Sequence, residues 1–341
     1  MKKIWIALLV LAVALVGWYW SLIAYGISQG MGQMRIIWNA RPIEEVLADP
    51  AFPDSLKGKL HIVEGIKSFA IDSLGLNDSE NYKTVYDQKG EELMWVVTAS
   101  EPFRLKAKTW DFPVVGTVPY KGYFDKGKAL AEMKRLQDEG WDVGVRNPGG
   151  WSTLGWFTDP ILSGMLERNE GDLASLIIHE MVHATLFVKD SVAFNENLAS
   201  FIGDSAAYLF LAAKYGKGSA EYTTYVYEVL DHQRYSQHVL RGAGALDSLY
   251  NTFGKGDAYA FKKAKKDALI QKIVHLMDTL TLHQYKIPAK RFAARPPNND
   301  YFLNYRRYQS RRTNFKLELE DKYHGDLRKM IQDYKARYPS L

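Results

Sequence analysis

The sequence predicts an α+β protein with a small sheet in its first half, a predominantly helical C-terminal half and one N-terminal transmembrane helix. Three observations carry that reading. Residues 1–35 contain only three charges, Lys2, Lys3 and Arg35, around a long apolar run. Residues 81–157 break into short β-rich segments punctuated by Gly, Pro and Asn. Residues 171–341 are dominated by apolar residues three and four apart, the period of a helix face.

The elements follow in chain order. Ile4–Ala24 spans 21 residues, enough to cross a ~30 Å hydrocarbon layer. Trp5 lies near one end and Trp18, Tyr19, Trp20 and Tyr25 near the other, as interfacial belts do, and the two lysines favour a cytoplasmic N-terminus. A cleaved signal peptide is the rival. It requires small residues after the apolar run, where this chain has the bulky Trp18–Trp20 segment. Residues 1–35 are therefore expected to form an uncleaved anchor and juxtamembrane segment. Residues 36–341 would then form one domain outside the cytoplasm, with an α+β part (36–170) and a mainly helical part (171–341).

Pro42 can start a short helix through Leu47. Asp54–Leu74 reads as an amphipathic helix stopped by Gly75. YKTVY (82–86) and LMWVVTA (93–99) read as strands joined at Gln88-Lys89-Gly90. Residues 112–124 read as extended. Lys126–Glu139 is helical and ends at Gly140, Trp141–Arg146 alternates as a strand, and Asn147–Gly150 turns the chain. Ser152–Phe157 reads as a short strand, either an ordinary core strand or an edge that receives a substrate backbone. Pro160–Arg168 reads as a helix.

Composition excludes some chemistry. There is no Cys, hence no disulfide and no thiolate metal site. Net charge is +5, of which residues 36–341 carry only +2, which argues against general nucleic-acid binding. The cluster Lys262–Lys266 is expected to be a solvated helix face.

The most informative segment is DLASLIIHEMVHATLF (172–187). Asp172 can N-cap a helix on which Leu173, Leu176, Ile177, Met181 and Leu186 recur at helical spacing. His179 and His183, four apart, share one face and can reach one metal ion. Glu180 lies on the neighbouring flank, where it can act on a water as general base. This is the spacing of a zinc hydrolase. Sheet first and helices after is then the layout of a zincin-like metallopeptidase.

A catalytic zinc takes a third protein ligand and leaves a position for water. Lys189 stands where a third histidine would fall, so the three-histidine version fails. Asp190 sits only seven residues after His183, where the chain is turning. Glu196 is the better ligand, on a second helix where Ser200 and Asp204 share its side and can hydrogen bond a ligand histidine. The bland alternative for Glu196 is a first-turn glutamate favoured by the helix dipole.

HEMVHATLFVKDSVAFNENLASF resembles the metal-binding core of the bacterial putative-aminopeptidase family, zinc hydrolases of the gluzincin type. ARPIEEVLADP (40–50), KTWDFPVVGTVPYKGYFD (108–125), STLGWFTDPILS (152–163) and, more weakly, PNNDYFLNYRRY (297–308) share the likeness. The resemblance implies Zn²⁺ held by His179, His183 and Glu196, with Glu180 as base and peptide as substrate. Many members carry Cys near the positions of Asp111 and Thr117 and a lipoprotein Cys near the start; this chain has neither.

An oxyanion donor beyond zinc is also needed, usually Tyr or His. Tyr308, in a block that resembles the family and next to Arg306 and Arg307, is the candidate; helix packing is its ordinary alternative. His232 and His238 are lone histidines in an unremarkable helical stretch. The sequence thus predicts a membrane-anchored zinc peptidase with peptide and bilayer as partners and no nucleic acid. A tethered scaffold with a relict zinc site, and a zinc amidase acting on a cell-wall amide, remain alternatives. No acidic residue for a substrate's free amine is identifiable.

Overall fold

The computed structural model describes residues 5, 17, 19–112, 116–148, 158–189, 191–285, 292, 295–309 and 312–338. It is an α+β fold. Helix α1 (Trp20–Asn39) leads into strand β1 (Arg41–Pro42) and helices α2 (Ile43–Ala48) and α3 (Asp54–Asp72). Pro42 immediately precedes α2 and Gly75 takes the left-handed φ of +75° after α3, as expected from the sequence; Pro53 likewise precedes α3.

Strands β2 (Thr84–Tyr86), β3 (Trp95–Ser100), β4 (Trp110–Phe112), β5 (Gly116–Val118) and β6 (Lys121–Tyr123) follow, then helix α4 (Lys126–Asp138), β7 (Asp142–Arg146) and β8 (Ile161–Leu162). The strands linked through Gln88–Gly90 do not pair with each other. β2 lies between β1 and β8, whereas β3 lies between β6 and β7. β4 and β5 form a separate hairpin in which Asp111 faces Thr117, and the Thr117 hydroxyl donates to the Asp111 carboxylate.

Pro160–Arg168 is not a helix. Ile161 and Leu162 pair in parallel with Val85 and Tyr86 of β2, followed by a single 3₁₀ turn at Ser163–Met165. Two contacts to Gln88 fix the switch: its N–H donates to Ser163 Oγ at 2.9 Å, and its side-chain carbonyl accepts Gly164 N–H at 2.9 Å. A nine-residue segment with a central glycine nucleates a helix poorly, so strand pairing prevails. Ser152–Phe157 lies outside the described residues.

The second half is helical: α5 (Glu170–Thr185), α6 (Val192–Tyr215), α7 (Ala220–Tyr250), α8 (Tyr259–Leu276), α9 (Asn299–Gln309), α10 (Arg312–Tyr323) and α11 (Leu327–Arg337). The main core joins α3, the β1–β2–β8 sheet, α5 and α6, with Ile66, Val85, Ile161, Ile177, Ile178, Met181 and Ile202 buried together. A second core lies among α7, α8 and α9, and a third between α4 and the β6–β3–β7 sheet.

Among the described residues no helix is long and apolar enough to cross a membrane. Most of Ile4–Ala24 lies outside them. α1, whose first sixteen residues fall in the expected anchor and juxtamembrane segment (1–35) and whose first five fall in its apolar run, packs on the domain. The Tyr25 hydroxyl donates to Gly122 O at 2.9 Å, its ring stacks on Phe112, and Ile36 is buried. The opposite side exposes Trp20, Ile23, Ile27 and Met31, spaced as one helical stripe.

The Lys262–Lys266 cluster is not wholly solvated. Lys266 is 6% exposed, and its ammonium pairs with Asp142 and donates to Pro102 O at 2.9 Å. It ties α8 to β7, a contact invisible in local charge pattern.

Candidate metal centre

The helix bearing the histidines starts earlier than expected. Asn169, not Asp172, is the N-cap: its side-chain oxygen accepts Asp172 N–H at 2.9 Å. Leu173, Ile177, Ile178, Met181 and Val182 bury one broad face of α5 in the main core. His179 and His183 therefore point away from it, toward α6. The chain then turns and re-enters as α6. Asn195 brackets the turn, its side chain accepting Val188 N–H at 2.9 Å and donating to Val188 O at 2.8 Å. Glu196 follows at once.

This brings three ligand atoms together. His179 Nε2 and His183 Nε2 lie 3.1 Å apart, and Glu196 Oε2 lies 3.5 and 3.8 Å from them. Ligands 2.0–2.1 Å from one tetrahedral ion are separated by ~3.3 Å, so the spacing fits a shared divalent metal. It is the only such grouping of three His or carboxylate ligands among the described residues. The side chains keep 17%, 7% and 22% exposure, which leaves the site accessible on one side, unlike a closed structural site.

The electrostatics suit the assignment. Burial opposes the charge of Glu196, but the two imidazoles beside it prevail and hold its carboxyl well below the usual range. Burial likewise opposes charge on His179, yet Glu196 and Glu180 raise it. Burial pushes Glu180 above the ordinary carboxylate value against the pull of both histidines, the direction a general base requires. Behind the ligands, His179 Nδ1 lies 3.4 Å from Ser200 Oγ. Asp204 does not reach a histidine. It accepts from Ser175 Oγ and, at 3.2 Å, from the Tyr225 hydroxyl, and pairs with Arg312. Arg312 and Ser175 thereby hold Asp204 ionised despite burial.

The close packing of α5 on α6 depends on Gly203. A Cβ there would fall 2.6 Å from Ser175 O and 3.3 Å from His179 Cβ. A glycine inside a helical pattern is the sequence signal available for such an approach.

A cavity of about 790 Å³ runs alongside α5, with His179 in its wall. Asp172, Asp204 and Glu228 line it against two guanidiniums, Arg168 and Arg312. The Asn169 side-chain amide donates to Glu228 at 2.9 Å and to Asp172 at 3.2 Å. Burial raises both acids; Asp204 adds to the effect on Asp172, and Asp172 adds to the effect on Glu228. Sequence reasoning missed this pairing because Glu228 comes from α7. His232 also lines the cavity, whereas His238 hydrogen bonds Ile273 O at 2.8 Å as a structural residue.

Tyr308 sits in the last turn of α9, and its side chain lies outside the described residues, as does Asp190. Arg306 pairs with Asp247, and Arg307 Nη1 donates to Asn304 at 3.2 Å. The Arg307 carbonyl accepts from Asn197, which seats α9 on α6.

Fold and site define an α+β protein with an HExxH helix completed by a carboxylate from the next helix. The chain belongs to the family described as "Putative aminopeptidase", whose model matches residues 24–337. No curated protein and no solved structure matches the chain.

Proposed function

We propose that this protein is a zinc-dependent peptidase of aminopeptidase type, tethered by residues 4–24 with its site outside the cytoplasm. The observation that carries the chemistry is the convergence of His179, His183 and Glu196, with Glu180 on the same helix. His179 Nε2, His183 Nε2 and Glu196 would hold the ion. Zinc bound there supplies a Lewis acid for the scissile carbonyl and lowers the pKa of a water. Glu180 takes the proton of the attacking water and delivers it to the leaving amine nitrogen. His179 is steadied from behind by Ser200. The cavity beside His179, with three carboxylates to two guanidiniums, favours a cationic substrate end. That is the acidic group an aminopeptidase needs for a free amine. The exposed stripe of Trp20, Ile23, Ile27 and Met31 continues the uncharged N-terminal run and suits a helix leaving a membrane.

The test is a peptidase assay on the full-length protein in detergent, with free and N-blocked peptides, with and without chelator. Chelator-sensitive cleavage of free peptides alone is expected. Glu180→Gln should retain one zinc by elemental analysis while kcat falls by about 10²–10⁴. His183→Ala should lose metal and activity together. Full activity of the Glu180→Gln protein would falsify the mechanism, and one bound zinc without hydrolysis of any peptide would favour a scaffold.

A further inference from the structure

Residues 281–285 are laid along α7 by three side chains of one helical face. Tyr227, Asp231 and Arg234 follow one another at steps of four and three. The Tyr227 ring stacks on His283, with centroids 4.5 Å apart. Arg234 Nη1 donates to Thr281 O at 2.7 Å and lies 3.2 Å from His283 Nε2. Asp231 makes the closest hold. Its buried carboxylate accepts three consecutive main-chain N–H groups: His283, shared between both oxygens at 2.7 and 2.8 Å, Gln284 at 2.6 Å and Tyr285 at 2.9 Å.

Burying a carboxylate is costly, and hydrogen bonds from main-chain N–H groups offset that cost only where the backbone is held in one place. The clamp therefore fixes how the segment presents its next side chains. Gln284 and Tyr285 both line the cavity that has His179 in its wall. The Tyr285 ring meets the buried Tyr235 ring edge-on at 5.4 Å, yet remains 47% exposed. Leu176, one turn before His179 on α5, and the carboxylates of Asp172 and Glu228 line the same cavity. The cavity thus offers carboxylates for a cationic group and a braced aromatic ring for an apolar one.

We propose that His283–Tyr285 is the specificity wall of the cavity and that Asp231 is its positioning residue. The Tyr285 ring receives a large apolar or aromatic first side chain, while the cavity carboxylates receive the ammonium end of the same peptide. The inference rests on the reading of this cavity as the seat of a peptide's free amino terminus. It accounts for a buried carboxylate whose bonds all go to the main chain of one short segment at the cavity wall.

The experiment uses full-length protein in detergent and two peptides that differ only in the first residue, Phe or Ala. Turnover gives kcat and KM, and calorimetry gives Kd in the Glu180→Gln protein, with the same changes introduced into it. Wild type is expected to favour the Phe-first peptide by about tenfold or more in kcat/KM, and Glu180→Gln to show that preference in Kd. Tyr285→Ala should reduce both preferences to about twofold, mainly through KM. Asp231→Asn, which keeps one carbonyl oxygen for the three N–H groups, should do the same with Tyr285 intact. A merely structural Asp231 would lower the melting temperature and leave the preference at its wild-type value; that result overturns the positioning role. A wild-type preference in Tyr285→Ala overturns the wall. Equal kcat/KM for the two peptides in wild type removes this inference and leaves the peptidase reading standing. Tighter binding of the Phe-first peptide without cleavage of either removes the peptidase reading and leaves the wall, and absence of both binding and cleavage removes the two together.

Discussion

Gly203→Ala is a direct test of how the metal centre is assembled. The added methyl would meet Ser175 O at 2.6 Å. That falls roughly 0.7 Å short of the ~3.3 Å at which a carbon meets a carbonyl oxygen. The obstacle is backbone inside α5, so no side-chain rotation relieves it, and α6 must retreat. Glu196 rides on α6 about two turns earlier, ~10 Å along the axis. A comparable shift at its carboxylate exceeds the ~0.2 Å tolerance of metal–ligand distances. Zinc affinity should fall by about 10–100-fold, or about 1.4–2.8 kcal/mol. Overpacking itself should cost ~1–3 kcal/mol of stability. Competition against a chromophoric chelator reads the first effect, and thermal melting with EDTA present reads the second. Gly244, exposed on α7 with nothing within 4 Å of where an alanine methyl would stand, is the control. Gly244→Ala should leave zinc affinity unchanged and stabilise by up to ~1 kcal/mol, since alanine is the better helix former. Wild-type zinc affinity and melting in Gly203→Ala would refute the close-packing argument.

Two other perturbations probe the frame around the site. Asn195→Ala removes both bonds to Val188 from a side chain 4% exposed, just before Glu196. It should cost ~1–3 kcal/mol in melting and weaken zinc binding, and unchanged values in both would show that the turn is held by other contacts. Asp300 is buried against Thr98, and burial pushes its carboxyl up to about 6 from an ordinary 3.8. The folded state therefore keeps a proton that the unfolded state has released, so stability is greatest below pH ~4 and falls by about 3 kcal/mol as pH rises through ~6. Asp300→Asn should flatten that segment of a melting-versus-pH curve and exceed wild type at pH ~7.5; parallel curves would count against the buried-acid reading.

What the sequence reveals and what it conceals divide along the range of the interactions. The histidine pair is legible because helical spacing alone puts both residues on one face. Glu196 is legible because the intervening segment is long enough for one turn and short enough to keep the helices adjacent. The N-cap of α5 falls three residues before the expected one, since Asn169 and Asp172 are both good caps and only the hydrogen bond distinguishes them. Pro160–Arg168 reads wrongly as helix because its partner, β2, lies far back in the chain, and strand pairing leaves no local trace in two residues.

The same limit hides the surroundings of the candidate metal site. Glu228 reaches Asn169 from α7, and Arg312 reaches Asp204 from α10. Neither has a spacing rule relative to HEMVH. Each nevertheless costs the fold something: a half-buried carboxylate and a desolvated ion pair. The local code specifies which atoms can bind the metal. The long-range packing specifies how those atoms are oriented and what the adjoining cavity can accept, so the determinants of substrate choice belong to the part that only the folded chain displays.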